Sequence, residues 1–185
     1  MDALTPLLPE TDMRDKANPH ERWRKQQITQ KELRDLKADR FIFAPVRNPW
    51  SRVVSHYKDK IVPNLHERLA QYGFRKAMPF DDYLKIVQEK YDRINDFHII
   101  EQVRMLNFRG AYLPDFTMRF ERLGEDFQQL RAMINARTGI DTTSLGQLNT
   151  RQSRSFETYY TTELREMVHQ IYIRDIEVLN YRFDA

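Results

Sequence analysis

The sequence contains no cysteine, so a disulfide framework, a thiolate zinc site and a cysteine nucleophile are all excluded. Its five histidines form no His-x-x-x-His pair, and we therefore expect no bound metal. It has no long uncharged apolar run, which predicts that no segment is integral to a membrane. The first ten residues carry acids and prolines where a secretory signal would be basic and then apolar, so a cytoplasmic location is expected.

Glycine is scarce as well. Only five glycines occur in 185 residues, and the first of them is Gly73. Neither G-x-x-x-x-G-K-[ST] nor G-x-G-x-x-G occurs anywhere in the chain, so no glycine-rich phosphate loop precedes that position within it. The sequence is consequently not that of an ordinary P-loop nucleotidase or of a Rossmann dehydrogenase.

An excess of one charge sign is also missing. The 30 Lys and Arg residues are nearly balanced by 27 Asp and Glu residues, which leaves a net charge of +3. Proteins that coat nucleic acid present a dominant positive surface, so this balance predicts no nucleic-acid partner. A local anion site is still compatible with the composition, because it needs only a few basic groups.

The composition that is present is typical of a globular domain, with 41% hydrophobic and 12% aromatic residues. Residues 1–39 are polar and contain three prolines, and we predict that they form a loose N-terminal arm with short polar helices. Apolar residues become more frequent after them. Residues 40–185 are therefore predicted to form one compact domain.

Residues 40–46 form a short apolar run that predicts a buried strand ending at Pro45. Asn48 is a favourable helix N-cap, Pro49 suits the first helical position, and the apolar residues that follow repeat at helical spacing. Free N–H groups at the start of such a helix, together with the forked guanidinium of Arg47 at the turn, would make an anion site. The alternative is a well-capped helix beside an ordinary surface arginine.

The rest of the domain is predicted to be mainly helical. Helices are expected to begin at Pro79, to span residues 97–107 and 125–136, and to begin again at Thr161, with a second strand at residues 116–120. Strands that alternate with helices are typical of a three-layer α/β fold with a parallel sheet. Since only two strands are evident, we expect a helix-rich fold with a small or incomplete sheet.

Residues 43–57 have the sequence Phe-Ala-Pro-Val-Arg-Asn-Pro-Trp-Ser-Arg-Val-Val-Ser-His-Tyr. This stretch resembles the 3′-phosphate-binding motif of sulfotransferases. Later stretches agree with that family in order: Asp-x-His-x-x-x-Gln from Asp96, Phe-Glu-x-Leu-x-x-Asp-Phe from Phe120, and an Asn–basic loop with a Tyr-x-x-Asp ending after residue 148. The version with Asn-Pro-Trp and a second arginine is similar to Golgi-type carbohydrate sulfotransferases and their bacterial relatives. The resemblance spans residues 40–183.

The resemblance implies a P-loop-like sulfotransferase fold and transfer of a sulfuryl group from 3′-phosphoadenosine 5′-phosphosulfate to a hydroxyl group, with a carbohydrate as the expected acceptor. On the matching positions, Arg47 and Ser55 would hold the 3′-phosphate. The loop that contains Asn149, Arg151 and Arg154 would fold over the nucleotide. Because the animal relatives are membrane-anchored Golgi proteins, the chain is expected to be bacterial.

His98 is the candidate general base. An acceptor hydroxyl must lose its proton as it attacks sulfur, and imidazole titrates in the range where such a base is useful. The alternative is a structural histidine that hydrogen-bonds to Asp96 or Gln102. His56, which follows Ser55, is a second candidate for the base.

One departure from the family bears directly on activity. Sulfotransferases cradle the 5′-phosphosulfate with a strand and a Pro-Lys-x-(Gly/Ala)-(Ser/Thr)-(Ser/Thr) loop that precedes the 3′-phosphate motif. Residues 1–39 contain neither a glycine nor a Lys-x-x-(Ser/Thr) sequence. The alternative to an active sulfotransferase is therefore a truncated or non-catalytic relative that keeps the fold and binds 3′,5′-adenosine bisphosphate.

Overall fold

The structure is a computed structural model, and it describes residues 31, 35, 40–63, 65–108, 110–140 and 155–184. Most of these residues belong to one compact unit, Phe41–Ala185, and Met1–Arg40 form a separate unit. The predicted N-terminal arm lies outside the described residues except for Lys31 and Asp35, which are helical.

The described residues contain four short strands: β1 (Phe43–Val46), β2 (Asn107–Phe108), β3 (Ala111–Tyr112) and β4 (Phe116–Arg119). β1 and β4 pair in parallel, with Phe43 opposite Phe116 and Val46 opposite Arg119. β2 and β3 form a small antiparallel hairpin. Both predicted strands are therefore present, and the parallel sheet is small, as expected for the helix-rich α/β class.

The prediction that the first strand ends at Pro45 is wrong, because β1 continues to Val46. Pro45 lies within the strand, opposite Met118 of β4. Proline lacks the N–H group that a central strand needs for its second neighbour. Within the described residues β1 has only β4 beside it, so the missing donor interrupts no second ladder.

Helices make up most of the compact unit: α1 (Pro49–His56), a π-helix (Tyr57–Ile61), α2 (Glu67–Ala70), α3 (Phe80–Lys90), α4 (Gln102–Leu106), a 3₁₀ turn (Phe120–Arg122), α5 (Leu123–Thr138), a second 3₁₀ turn (Phe156–Tyr159), α6 (Thr162–Ile171) and α7 (Ile173–Val178). The predicted N-cap at Asn48 is confirmed by its side-chain hydrogen bonds to two backbone N–H groups. Thr161, where the last helix was expected to begin, is the N-cap of α6, and its side chain accepts from Leu164 N. Gly139 ends α5 at φ 69°, a left-handed conformation that glycine adopts without strain.

The helix predicted at residues 97–107 is shorter than expected, because α4 begins only at Gln102. The residues before it form a turn that folds back on Asp96. The N–H groups of Ile99 and Ile100 both donate to the Asp96 carbonyl, at 3.0 and 2.9 Å. This turn places His98 outside regular helix, which matters for the site described below.

The main hydrophobic core forms where one face of α1 packs against α3 and α6. The predicted apolar face of α1 is buried, including Trp50 and Val54, and it meets Tyr83 and Leu84 of α3. Val168 of α6 closes the cluster. Burying side chains of this size contributes about 1.5–3 kcal/mol each, so this packing fixes the position of α1. The residues on the other faces of α1 are thereby held in defined places.

Candidate functional site

The site begins at the turn between β1 and α1, and buried polar groups fix this turn. Asn48 is fully buried, and its side-chain oxygen accepts from Trp50 N at 3.0 Å and Ser51 N at 3.3 Å. Its backbone N–H donates to Glu121 Oε1 at 2.7 Å, and its side-chain amide donates to the Arg182 carbonyl at 2.8 Å. The turn is therefore tied to the 3₁₀ turn that follows β4 and to the C-terminal segment.

This network corrects the expectation that α1 offers free N–H groups to an anion. Pro49 has no N–H group, and those of Trp50 and Ser51 are taken by the Asn48 side chain. The N–H of Arg47 itself donates to Gln102 Oε1 at 2.8 Å, and the Arg47 carbonyl accepts from Gln102 Nε2 at the same distance. An anion at this turn must therefore be bound by side chains.

Arg47 is the side chain best placed for that role. Its Nε donates to Ser51 Oγ at 2.9 Å, and its guanidinium carbon lies 4.6 Å from the centre of the Phe120 ring. Burial lowers the pKa of Arg47, while the Glu121 charge raises it; an arginine in this environment stays protonated at neutral pH. Because Ser51 engages Nε, the terminal nitrogens are the part of the fork that can bind a phosphate.

Ser55 is the second predicted phosphate ligand, and it lies on α1 at intermediate exposure. Residues four apart on a helix share a face and are separated by about 6 Å along the axis. Ser51 and Ser55 are four residues apart and share a face of α1, and Arg47, which precedes the helix, bonds to Ser51. Ser51 was not predicted, although the spacing of four on either side of it is a signal that could have found it.

His98 forms a hydrogen-bonded pair with Asp96. Its Nδ1 lies 2.9 Å from Asp96 Oδ1, and its backbone N–H donates to the same oxygen at 2.7 Å. Burial raises the pKa of Asp96, but the hydrogen bonds from His98 outweigh it and bring that pKa down to about 2. An ionised carboxylate can only accept, so Nδ1 carries the hydrogen and Nε2 carries the lone pair of the neutral ring. The pair therefore fixes the tautomer of the imidazole, and 47% of the His98 side chain is exposed.

His56 does not suit the role of base. It is buried, with 4% of its surface exposed, and its Nδ1 is hydrogen-bonded to the Tyr83 hydroxyl at 2.8 Å. Burial lowers the pKa of His56 to about 4, so it is neutral near pH 7. A base must contact the acceptor hydroxyl, and a side chain enclosed in this way cannot do so.

The predicted nucleotide-covering residues Asn149, Arg151 and Arg154 lie outside the described residues. In the part of the chain that the structure does describe, no three metal-ligating side chains come together. No helix there has both the length and the apolar composition needed to cross a bilayer.

Comparison with known families places this geometry in context. The model of the sulfotransferase family matches residues 8–182. The chain belongs to the sulfotransferase family. Its reaction class is sulfuryl transfer, which takes a phosphosulfate donor and a hydroxyl-bearing acceptor. No curated protein and no solved structure gave a match.

Proposed function

We propose that this sulfotransferase binds 3′-phosphoadenosine 5′-phosphosulfate by its 3′-phosphate and moves the sulfuryl group to a carbohydrate hydroxyl. The observation that carries this proposal is the Arg47 guanidinium, which Ser51 and Phe120 hold where β1 ends. In open α/β sheets ligands bind beyond the carboxyl ends of the strands, which is where this side chain lies. Ser55 would add a hydroxyl donor, and Asn149, Arg151 and Arg154 would cover the nucleotide.

In the proposed reaction the acceptor oxygen attacks sulfur in line with the bond to the 5′-phosphate. His98 Nε2 takes the hydroxyl proton as the new O–S bond forms. The bond between sulfur and the bridging oxygen breaks, and its electron pair leaves with 3′,5′-adenosine bisphosphate. Asp96 keeps Nδ1–H in place and stabilises the imidazolium that results. The Arg47 site fixes the other end of the donor, which is the positioning that such a displacement requires.

Nucleotide binding is the first test. Calorimetry with 3′,5′-adenosine bisphosphate and with 5′-AMP isolates the effect of the 3′-phosphate, because the two ligands differ only in that group. A charge-assisted contact to the fork is worth about 1.5–3 kcal/mol, so we expect the bisphosphate to bind roughly tenfold to a hundredfold more tightly. Equal affinities, or no binding of the bisphosphate at millimolar concentration, would contradict the proposal.

A non-catalytic, nucleotide-binding relative is the second candidate. The observation that favours it is the composition of residues 1–39, which have no glycine and no Lys-x-x-(Ser/Thr) sequence to hold the 5′-phosphosulfate. One oxyanion-type donor contributes about 10²–10³-fold to a rate, so this second candidate predicts that the 185 residues bind the nucleotide and transfer sulfate poorly. A turnover assay with labelled donor and a panel of sugars separates the candidates: robust turnover that His98→Ala abolishes establishes the enzyme, and binding without turnover establishes the relative.

A further inference from the structure

Helix α1 presents two neighbouring faces with different partners. One face carries Ser51 and Ser55, beside Arg47. The other carries Arg52 and His56, which are again four residues apart and therefore share a side of the helix. The second face points to the turn that contains His98, as the following contacts show.

Arg52 holds this turn from both sides of His98. Its Nη1 donates to the Ile100 carbonyl at 2.8 Å, and its Nη2 donates to the Phe97 carbonyl at 2.5 Å. Two N–H groups of one rigid, planar guanidinium are thus bonded to two backbone oxygens that flank His98. A lysine at this position would offer a single charged nitrogen and could not reproduce the fixed spacing of the two guanidinium nitrogens.

His56 also contacts this turn, through its ring. Its ring centre lies 5.9 Å from that of His98, and the ring is fixed by its hydrogen bond to Tyr83. The groups whose charges act on His56 are Asp96, His98, Arg52 and Lys60, so it lies within the cluster that surrounds the candidate base. Being neutral near pH 7, it adds no positive charge beside a base that must accept a proton.

We propose that Arg52 is the positioning residue of His98. In this role Arg52 makes no contact with substrate. It fixes the backbone of the turn that contains His98. It lies on α1, the same helix that carries the proposed phosphate ligand Ser55. The inference rests on the proposed function of His98 as base. It also gives a physical reason for a second arginine five residues after Arg47. In this account Arg47 binds the donor nucleotide, and Arg52 holds the turn that carries the base for the acceptor hydroxyl.

The test compares Arg52→Gln and Arg52→Lys with a matched control elsewhere in the fold. Arg119 supplies the control, because its guanidinium also bonds two backbone carbonyls, those of Leu179 and Asn180. Amide hydrogen exchange reports how firmly residues 97–100 are held, and the NMR titration of the His98 imidazole reports its tautomer and the midpoint of its protonation. Calorimetry with 3′,5′-adenosine bisphosphate is run on the same variants.

We expect Arg52→Gln to speed amide exchange at residues 98–100 by at least about tenfold and to alter the NMR spectrum of the His98 imidazole. Arg52→Lys should have an intermediate effect, because it keeps one of the two bonds. Arg119→Gln should leave both readouts at His98 unchanged, and the affinity of either Arg52 variant for the bisphosphate should stay within about twofold of wild type. Both NMR readouts use the free protein, so a failure of nucleotide binding would refute the proposed function separately from this role.

Two results would overturn the inference. In the first, Arg52→Gln, or Arg52→Lys if the glutamine variant does not fold, retains the wild-type exchange rates and imidazole spectrum. In the second, the Arg52 variants lose nucleotide affinity as strongly as Arg47→Ala does, which would make Arg52 a nucleotide ligand.

Discussion

The orientation of the Arg47 guanidinium depends on the hydroxyl of Ser51, in the first turn of α1. Replacing Ser51 by alanine removes the 2.9 Å bond to Arg47 Nε and frees the guanidinium to adopt other rotamers. A hydrogen bond of this kind contributes about 0.5–1.5 kcal/mol, so the affinity for 3′,5′-adenosine bisphosphate should fall roughly threefold to tenfold in calorimetry. Ser51→Thr keeps a hydroxyl and serves as the control. An alanine variant that binds as tightly as wild type would show that Ser51 does not hold the fork.

His56 should make the fold sensitive to mild acid. Its pKa is about 4 in the folded protein, mainly because burial disfavours the imidazolium, and about 6.5 in an unfolded chain. Above pH 6.5 both states are neutral and the group contributes nothing. As the pH falls from 6.5 to 4, only the unfolded chain takes up the proton, so the free energy of unfolding should decrease, by about 3 kcal/mol in total.

Urea unfolding between pH 7 and pH 4 measures this effect as the difference between wild type and His56→Asn, whose amide can still reach the Tyr83 hydroxyl. Asp96 contributes little over this interval, since its pKa falls from 3.8 in the unfolded chain to about 2 in the folded protein and its stabilising effect is lost mainly between those two values. The variant should lose less stability than wild type over this interval. Parallel pH profiles for the two proteins would contradict the assignment.

At the scale of single residues, the sequence predicted the positions that a motif makes recognisable. Arg47, Ser55 and His98 are of this kind, and their roles in binding and catalysis stay predictions. The contacts that hold them were not predictable in the same way. Arg52 reaches carbonyl groups 45 and 48 residues away, and no local pattern indicates where a distant turn will place its backbone oxygens.

Among the elements, α4 shows how a distant side chain sets a boundary. Asp175 of α7 is fully buried and accepts from Gln102 N at 2.9 Å and Val103 N at 2.7 Å, the first N–H groups of α4. Asp175→Asn removes one acceptor and the negative charge at the helix start, and we expect a loss of about 2–3 kcal/mol in the free energy of unfolding. Denaturant unfolding provides the measurement.

The exposed Asp184→Asn removes the same charge near the C-terminus and serves as the control. Equal stability of the Asp175 and Asp184 variants would show that the carboxylate does not hold α4.

The contact between Asp175 and the start of α4 explains why apolar periodicity gave the wrong start for the helix predicted at residues 97–107 and correctly predicted α1, α3 and α6. Those helices are defined by their own apolar spacing, whereas the start of α4 is defined by a residue 73 positions away.

For the whole molecule, the parallel sheet is the feature that bears on solubility. Within the described residues β1 pairs only with β4, and Phe43 at its start is 46% exposed. An uncovered apolar edge invites pairing between chains. We therefore expect concentration-dependent self-association in analytical ultracentrifugation, and we expect Phe43→Lys to reduce it. A wild-type protein that stays monomeric up to about 100 μM would contradict this expectation.

The account as a whole depends on the 3′-phosphate site, and Arg47→Ala tests it most directly. The measurement is calorimetry of wild type and variant with 3′,5′-adenosine bisphosphate and with 5′-AMP. We predict that the variant loses roughly tenfold to a hundredfold in affinity for the bisphosphate, or about 1.5–3 kcal/mol, and little for 5′-AMP. If Arg47→Ala binds the bisphosphate as wild type does, or weakens both nucleotides equally, Arg47 does not bind the 3′-phosphate.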